Sequence, residues 1–244
     1  MTMLRVDKRL MIFAAAALLI IFSAMTSSAA VTPAGGACDV AADVALEVGD
    51  SATAIRLHQT LLLSDGNNAL AHYHLGFAYG MAGLTAEEIG EYRTAIALGL
   101  KKWDLFLNLG LAYADRHDLE GAAAALETAV SLGPEHAETH FNLAVVYERE
   151  NKLNEALKQI IAALVIEPGD LDAANTYAII CARMGDLASA RSIWARLVRV
   201  APDYAPARTN LALLNQTCGG ACDPYTAFEP QLAAEVQVRP KGED

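Results

Sequence analysis

Apolar and polar positions recur along this chain at a fixed interval of 34 residues, unbroken from Gly35 to Tyr204. Five units result, 35–68, 69–102, 103–136, 137–170 and 171–204, with a half unit over 205–217. Position 8 of the units is always small: Ala42, Gly76, Gly110, Ala144, Ala178 and Ala212. Position 7 is mostly large (Ala41, Leu75, Leu109, Leu143, Tyr177, Leu211), and position 11 carries Tyr79, Tyr113 and Tyr147 in the middle units. Positions 7, 8 and 11 fall on one face of a helix. Further on, position 24 is bulky (His58, Tyr92, Leu126, Ile160, Trp194) between smaller residues at positions 20 and 27, such as Ala122 and Ala129. Each unit thus predicts two helices, the small residue of position 8 letting the first lie against the second, and small residues flanking a large one on the second.

The punctuation agrees. Position 15 is Gly49, Gly83, His117, Asn151 and Gly185. Gly and Asn suit the left-handed backbone that ends a helix. Position 32 is Gly66, Leu100, Pro134, Pro168 and Pro202, and proline there stops the second helix.

Leu75-Gly76-Phe77-Ala78-Tyr79 and Leu109-Gly110-Leu111-Ala112-Tyr113, with the variant Leu143-Ala144-Val145-Val146-Tyr147, resemble the core of the tetratricopeptide repeat. The resemblance covers about two thirds of the chain. It implies an all-α fold, a right-handed superhelical solenoid of antiparallel helix pairs. The chain departs from the family pattern at position 4, where the early Trp is replaced by Cys38, His72, Phe106, His140, Ala174 and Arg208. Unit 2 has Glu88 at a usually small position and Leu100 at the proline position, and unit 1 is weak in its first helix (Ala41, Ala45).

The resemblance also implies a concave groove lined by the first helices. Position 5 supplies Tyr73, Leu107, Phe141 and Asn175, expected to be exposed. Position 9 supplies Phe77, Leu111, Val145 and Ile179, which either face the groove or pack between neighbouring first helices. Position 6 reads His74, Asn108, Asn142, Thr176 and Asn210. Asparagines one repeat apart look like a ladder that holds an extended peptide by its backbone; the plainer reading is that they satisfy nearby backbone groups. No Lys or Arg occupies position 2, 5 or 6, so a carboxylate clamp for acid-ended peptides is not expected.

The first thirty residues stand apart. Arg5, Lys8 and Arg9 precede an apolar run from Leu10 to Met25 and a small-residue stretch ending at Ala30. This is the layout of a secretory signal peptide over 1–30, the rival reading being an uncleaved membrane anchor. A linker over 31–34 leads to the repeats. Export places the chain in an oxidising compartment, where Cys218 and Cys222 are the expected disulfide, at the start of an extended tail over 218–244. Cys181 reads as a buried thiol, and Cys38 lies four units from it, too far to pair in a solenoid.

The formal net charge of −11 argues against a nucleic-acid partner, which needs clustered Lys and Arg. No motif carries catalysis. His136 and His140 sit four apart, but Glu138 is misplaced for a zinc protease, and no metal or other cofactor is expected. The reading is therefore a non-enzymatic scaffold in the periplasm, either inner-membrane anchored or released by signal cleavage, binding an extended apolar or mildly basic protein segment. The alternative is a structural or oligomerisation subunit of a membrane-anchored export or biogenesis complex.

Overall fold

The structure, a computed structural model, describes residues 39–218. The signal segment, the linker, the disulfide partners Cys218 (its side chain) and Cys222, and the tail beyond lie outside the described residues. The described residues form eleven α-helices and no strand: α1 (Val40–Glu47), α2 (Ser51–Ser64), α3 (Ala69–Ala82), α4 (Thr85–Ala97), α5 (Trp103–Asp115), α6 (Leu119–Leu132), α7 (Ala137–Arg149), α8 (Leu153–Ile166), α9 (Leu171–Arg183), α10 (Leu187–Val200) and α11 (Ala205–Cys218). From α3 onward the odd-numbered helices start 34 residues apart, as do all the even-numbered ones.

The turn inside every unit is the same object. Gly49, Gly83, His117, Asn151 and Gly185 all take positive φ, His117 and Asn151 at 60°. In each, the next amide reaches back to the carbonyl of position 11: Asp50 to Ala45, Leu84 to Tyr79, Asp118 to Tyr113, Lys152 to Tyr147 and Asp186 to Cys181, all at 2.8–3.0 Å. This closes the helix by a left-handed residue and a six-to-one bond. The residue that ends the turn then caps the next helix. Asp50, Asp118 and Asp186 accept the amides of Thr53, Gly121 and Ser189 at 3.0 Å. In these three units a left-handed residue and an acidic cap reverse the chain, whereas Leu84 and Lys152 start α4 and α8 with no side-chain cap.

The departures from the repeat are compensated locally. Leu100 replaces proline, and Gly99 (φ 93°) ends α4 instead, with the Leu100 amide bonded to the Ala95 carbonyl at 3.0 Å. Glu88 is fully buried, and Gly80 opens room for it: a Cβ on Gly80 would stand 2.5 Å from the Glu88 carboxylate.

The described residues belong to two compact units, one ending at Asn108 and the other beginning at Leu109. In the first, Tyr92 lies over Gly76, where a Cβ would come within 2.6 Å of its ring. In the second, a core of Phe141, Val145, Ile160, Ile179, Ile180, Trp194, Leu197 and Leu214 runs through α7 to α11. Trp194, Ile160 and Leu126, all at position 24, are fully buried.

Candidate functional site

The residues predicted to line an open groove are closed off. Tyr73, Leu107, Phe141 and Asn175 at position 5 have at most 6% of their surface exposed. Phe77, Leu111, Val145 and Ile179 at position 9 are buried as well. So are His74, Asn108, Asn142 and Asn210 at position 6. The expected exposure at position 5 is therefore corrected, and position 9 follows its packing alternative. Repeat-to-repeat packing accounts for it at two places: Tyr73 meets Asn108, and Asn175 meets Asn210, on the next first helix.

Hydrogen bonds 35 residues apart show this directly. In the first compact unit the Asn108 amide donates to the Tyr73 hydroxyl at 3.4 Å. In the second, Asn175 Oδ1 accepts from Asn210 Nδ2 and from Trp194 Nε1, both at 2.9 Å. Asn142 Nδ2 donates to the Glu138 carbonyl at 3.0 Å within its own helix. The asparagines hold the repeats and their own backbone.

Other polar side chains extend the stitching. Gln59 donates to the Tyr79 hydroxyl at 2.9 Å, and Tyr147 donates to Glu127 at 2.6 Å; each joins position 11 to position 25 of the preceding repeat. Arg183 donates to the Glu148 carboxylate and carbonyl and to Asn151 Oδ1. The missing family Trp is replaced by a polar staple. His72 bridges Glu91 (2.5 Å) and the Gly66 carbonyl (3.2 Å), and His140 bridges Gln159 (2.7 Å) and the Pro134 carbonyl (2.9 Å). Both nitrogens of His140 are thereby engaged, so it does not join His136 in a metal pair.

The positions left partly open on α7 and α9 are mostly charged or aromatic, with Tyr147 and Tyr177 among them. In α7 and α9 the partly exposed positions include Glu138 and Asp172 near the start and Arg149 and Arg183 near the end. Large exposed apolar side chains lie on the first helix of unit 1 (Val40 and Val44 on α1, Val48 just after it) and toward the ends of second helices (Leu63, Leu132, Val165 and Val200). Among the described residues no helix is long and apolar enough to cross a membrane.

One cluster escaped the sequence reading. Asp43, His58 and His74, from α1, α2 and α3, each bring a donor atom within 4.8 Å of the others. They stand at positions 9, 24 and 6 of the repeat, three places where apolar or amide residues are usual, and only that substitution pattern could have drawn attention to them. Burial lowers the pKa of both imidazoles to about 4, and His74 lies 2.9 Å from Asp43.

Comparison with known proteins decides the family. A tetratricopeptide repeat profile matches residues 40–99 and 107–176, more than half of the chain. The chain belongs to the tetratricopeptide repeat family. Its fold is the all-α fold of that family, shared with several solved structures. YrrB, described as a TPR protein with an unusual peptide-binding site, is 24% identical at a TM-score of 0.65, covering 69% of this chain and 87% of YrrB. MamA is 23% identical at 0.62, covering 67% of this chain and 95% of MamA. A tetratricopeptide repeat protein from Parabacteroides merdae is 18% identical at 0.66, over 73% of this chain and 71% of that one. Comparison with curated proteins finds no match. A tetratricopeptide repeat chain is a scaffold for protein–protein interaction, and nothing in these comparisons points to catalysis.

Proposed function

We propose that this tetratricopeptide repeat protein is a non-enzymatic adaptor in the bacterial periplasm that holds an extended, mildly basic segment of a partner protein along its first helices. The observation that carries the reading is the family match, since solenoid repeats of this kind present their first helices to partners. The charge of the open positions refines it. Glu138 and Asp172 stand at the same repeat position on successive first helices, and the whole chain carries −11. No Lys or Arg holds that position in any unit, so an acid-ended peptide meets repulsion. Because the apolar strip is buried, the partner's apolar side chains contribute less than its charge and backbone. That YrrB has a peptide-binding site is in keeping with this use of the fold.

Export rests on the first thirty residues. Arg5, Lys8 and Arg9 before the apolar run support a signal peptide, whose removal leaves a chain of net charge −13. N-terminal sequencing of the protein from its native membrane and periplasmic fractions tests this. A start near Val31 supports a free periplasmic adaptor; a start at Met1 in the membrane fraction supports the anchored alternative.

Site-specific photocrosslinking in the native host tests the binding face. A photoreactive residue at Glu138 is expected to capture a discrete partner, weakened by salt. One at Val165, 74% exposed on a second helix, is not. Capture at Val165 and none at Glu138 would overturn the proposal.

A further inference from the structure

We infer that Asp43, His58 and His74 form a binding site for a divalent transition-metal ion of the zinc class, which clips the first helix onto the array. The three residues come from α1, α2 and α3 of one compact unit. Their donor atoms lie within 4.8 Å of one another, and His74 Nδ1 stands 2.9 Å from Asp43 Oδ1. A tetrahedral ion with ligands at about 2.0–2.1 Å sets its donors on the order of 3.4 Å apart. That value lies between the 2.9 Å contact and the 4.8 Å limit on the rest, so small side-chain adjustments complete the shell.

His58 supplies the independent observation. It is fully buried at the position where other units place Tyr92, Leu126, Ile160 or Trp194. Neither of its ring nitrogens has a hydrogen-bond partner. A buried imidazole with both nitrogens unsatisfied is costly, and native proteins rarely keep one without a reason. A metal ion ligated by one nitrogen supplies that reason. Its ring meets the His74 ring edge-on, with centroids 5.4 Å apart.

The donor set selects the ion. Two imidazoles and one carboxylate suit Zn²⁺, Co²⁺, Ni²⁺ and Cu²⁺; Ca²⁺ and Mg²⁺ require more oxygens. Burial keeps both imidazoles neutral at physiological pH, the form that ligates. Asp39 adds negative potential beside Asp43 and His58. The cation that faces His74, Lys102, is paired with Asp104 at 3.2 Å. The Asp43 side chain is 22% exposed, which gives an ion an entry path and leaves the fourth position to water.

The consequence is structural. Helix α1 has only eight residues and buries Ala42, Ala45 and Leu46, too little apolar surface to hold it firmly. A metal bridging it to two longer helices adds a fixed clip at the end of the repeats.

The test is Co²⁺ titration of the purified full chain after removal of metal by a chelator. Expected is one equivalent bound, with tetrahedral d–d absorption and no thiolate-to-cobalt charge transfer, displaced by Zn²⁺, which raises the thermal midpoint. Asp43→Asn and His58→Gln each weaken binding by at least about tenfold, while His136→Gln, beside exposed Glu135, leaves it unchanged. Asp43 is partly exposed, so Asp43→Asn decides the matter if His58→Gln fails to fold. Binding undiminished by Asp43→Asn, a thiolate band, or no stoichiometric uptake by the wild-type chain would each overturn the inference.

Discussion

Gly80 and Glu88 are a matched pair: the missing Cβ of one is the space taken by the carboxylate of the other, 2.5 Å from where that atom would be. Gly80→Ala is therefore expected to destabilise the protein by about 1–3 kcal/mol through overpacking. In a Glu88→Ala background the sign reverses, because alanine is then the better helix former by up to about 1 kcal/mol. Denaturant unfolding of the two single variants and the double variant reads this coupling. Additive effects would show that the two side chains do not compete for the same space.

Asn175 serves two donors at once, the Trp194 indole and the Asn210 amide. Asn175→Ala removes the acceptor that these two buried donors share and is expected to cost about 2–4 kcal/mol. A ligand ladder would instead give a stable variant with weakened partner binding. Thermal unfolding and partner crosslinking, measured on the same preparation, separate the two outcomes.

His140 ties α7 to Gln159 and to the Pro134 carbonyl. His140→Ala is expected to lower stability by about 1–3 kcal/mol by removing both contacts. Hydrogen exchange checks where the loss falls: the amides around Pro134 and the start of α7 lose protection ahead of those in α10.

His117 holds a left-handed backbone at φ 60° that glycine occupies in three other units. His117→Gly is expected to stabilise by about 1 kcal/mol, since the side chain's steric cost disappears. At Asn151 the same change gains less, because its Oδ1 accepts from Arg183. The ordering of the two melting temperatures is the readout.

The acidic caps give a pH signature. Bonds from Ser189 hold the Asp186 carboxyl below its ordinary value of 3.8, and those from Thr53 do the same for Asp50. A depressed carboxyl contributes stability that is present above the unfolded pKa and lost as pH falls through the folded one. Asp186→Ala should lower the melting temperature at neutral pH, and the gap from wild type should narrow below about pH 4. Asp118→Ala at the equivalent cap of α6 is expected to cost about 0.5–2 kcal/mol at neutral pH.

The repeat was legible because its constraints are local and exact. Position 8 must be small beneath position 24, and position 15 must tolerate a left-handed backbone, so composition at fixed spacing reports them. The groove was misread for a physical reason. A large side chain at position 5 satisfies the sequence pattern equally well whether it faces solvent or is buried, and Tyr73, Leu107 and Phe141 are buried. The asparagines were ambiguous in the same way, since an amide that could hold a peptide can hold Trp194 or Tyr73 instead. The Asp43–His58–His74 cluster was invisible because its members are 15 and 16 residues apart, across two turns. Only folding places them in one spot.

The identical turns restrict how this chain can change in length. Deleting residues 118–151 would join left-handed His117 to Lys152, the residue that normally follows such a position, and would put Ile160 over Gly110 in place of Leu126. The same deletion would take Glu148 and Asn151 from Arg183 and His140 from Gln159. Excising 84–117 is also in phase, yet it removes Glu88 from beneath Gly80 and leaves a void. Such a chain gains or loses material in whole cassettes, and only those cassettes without a private partner can be traded freely.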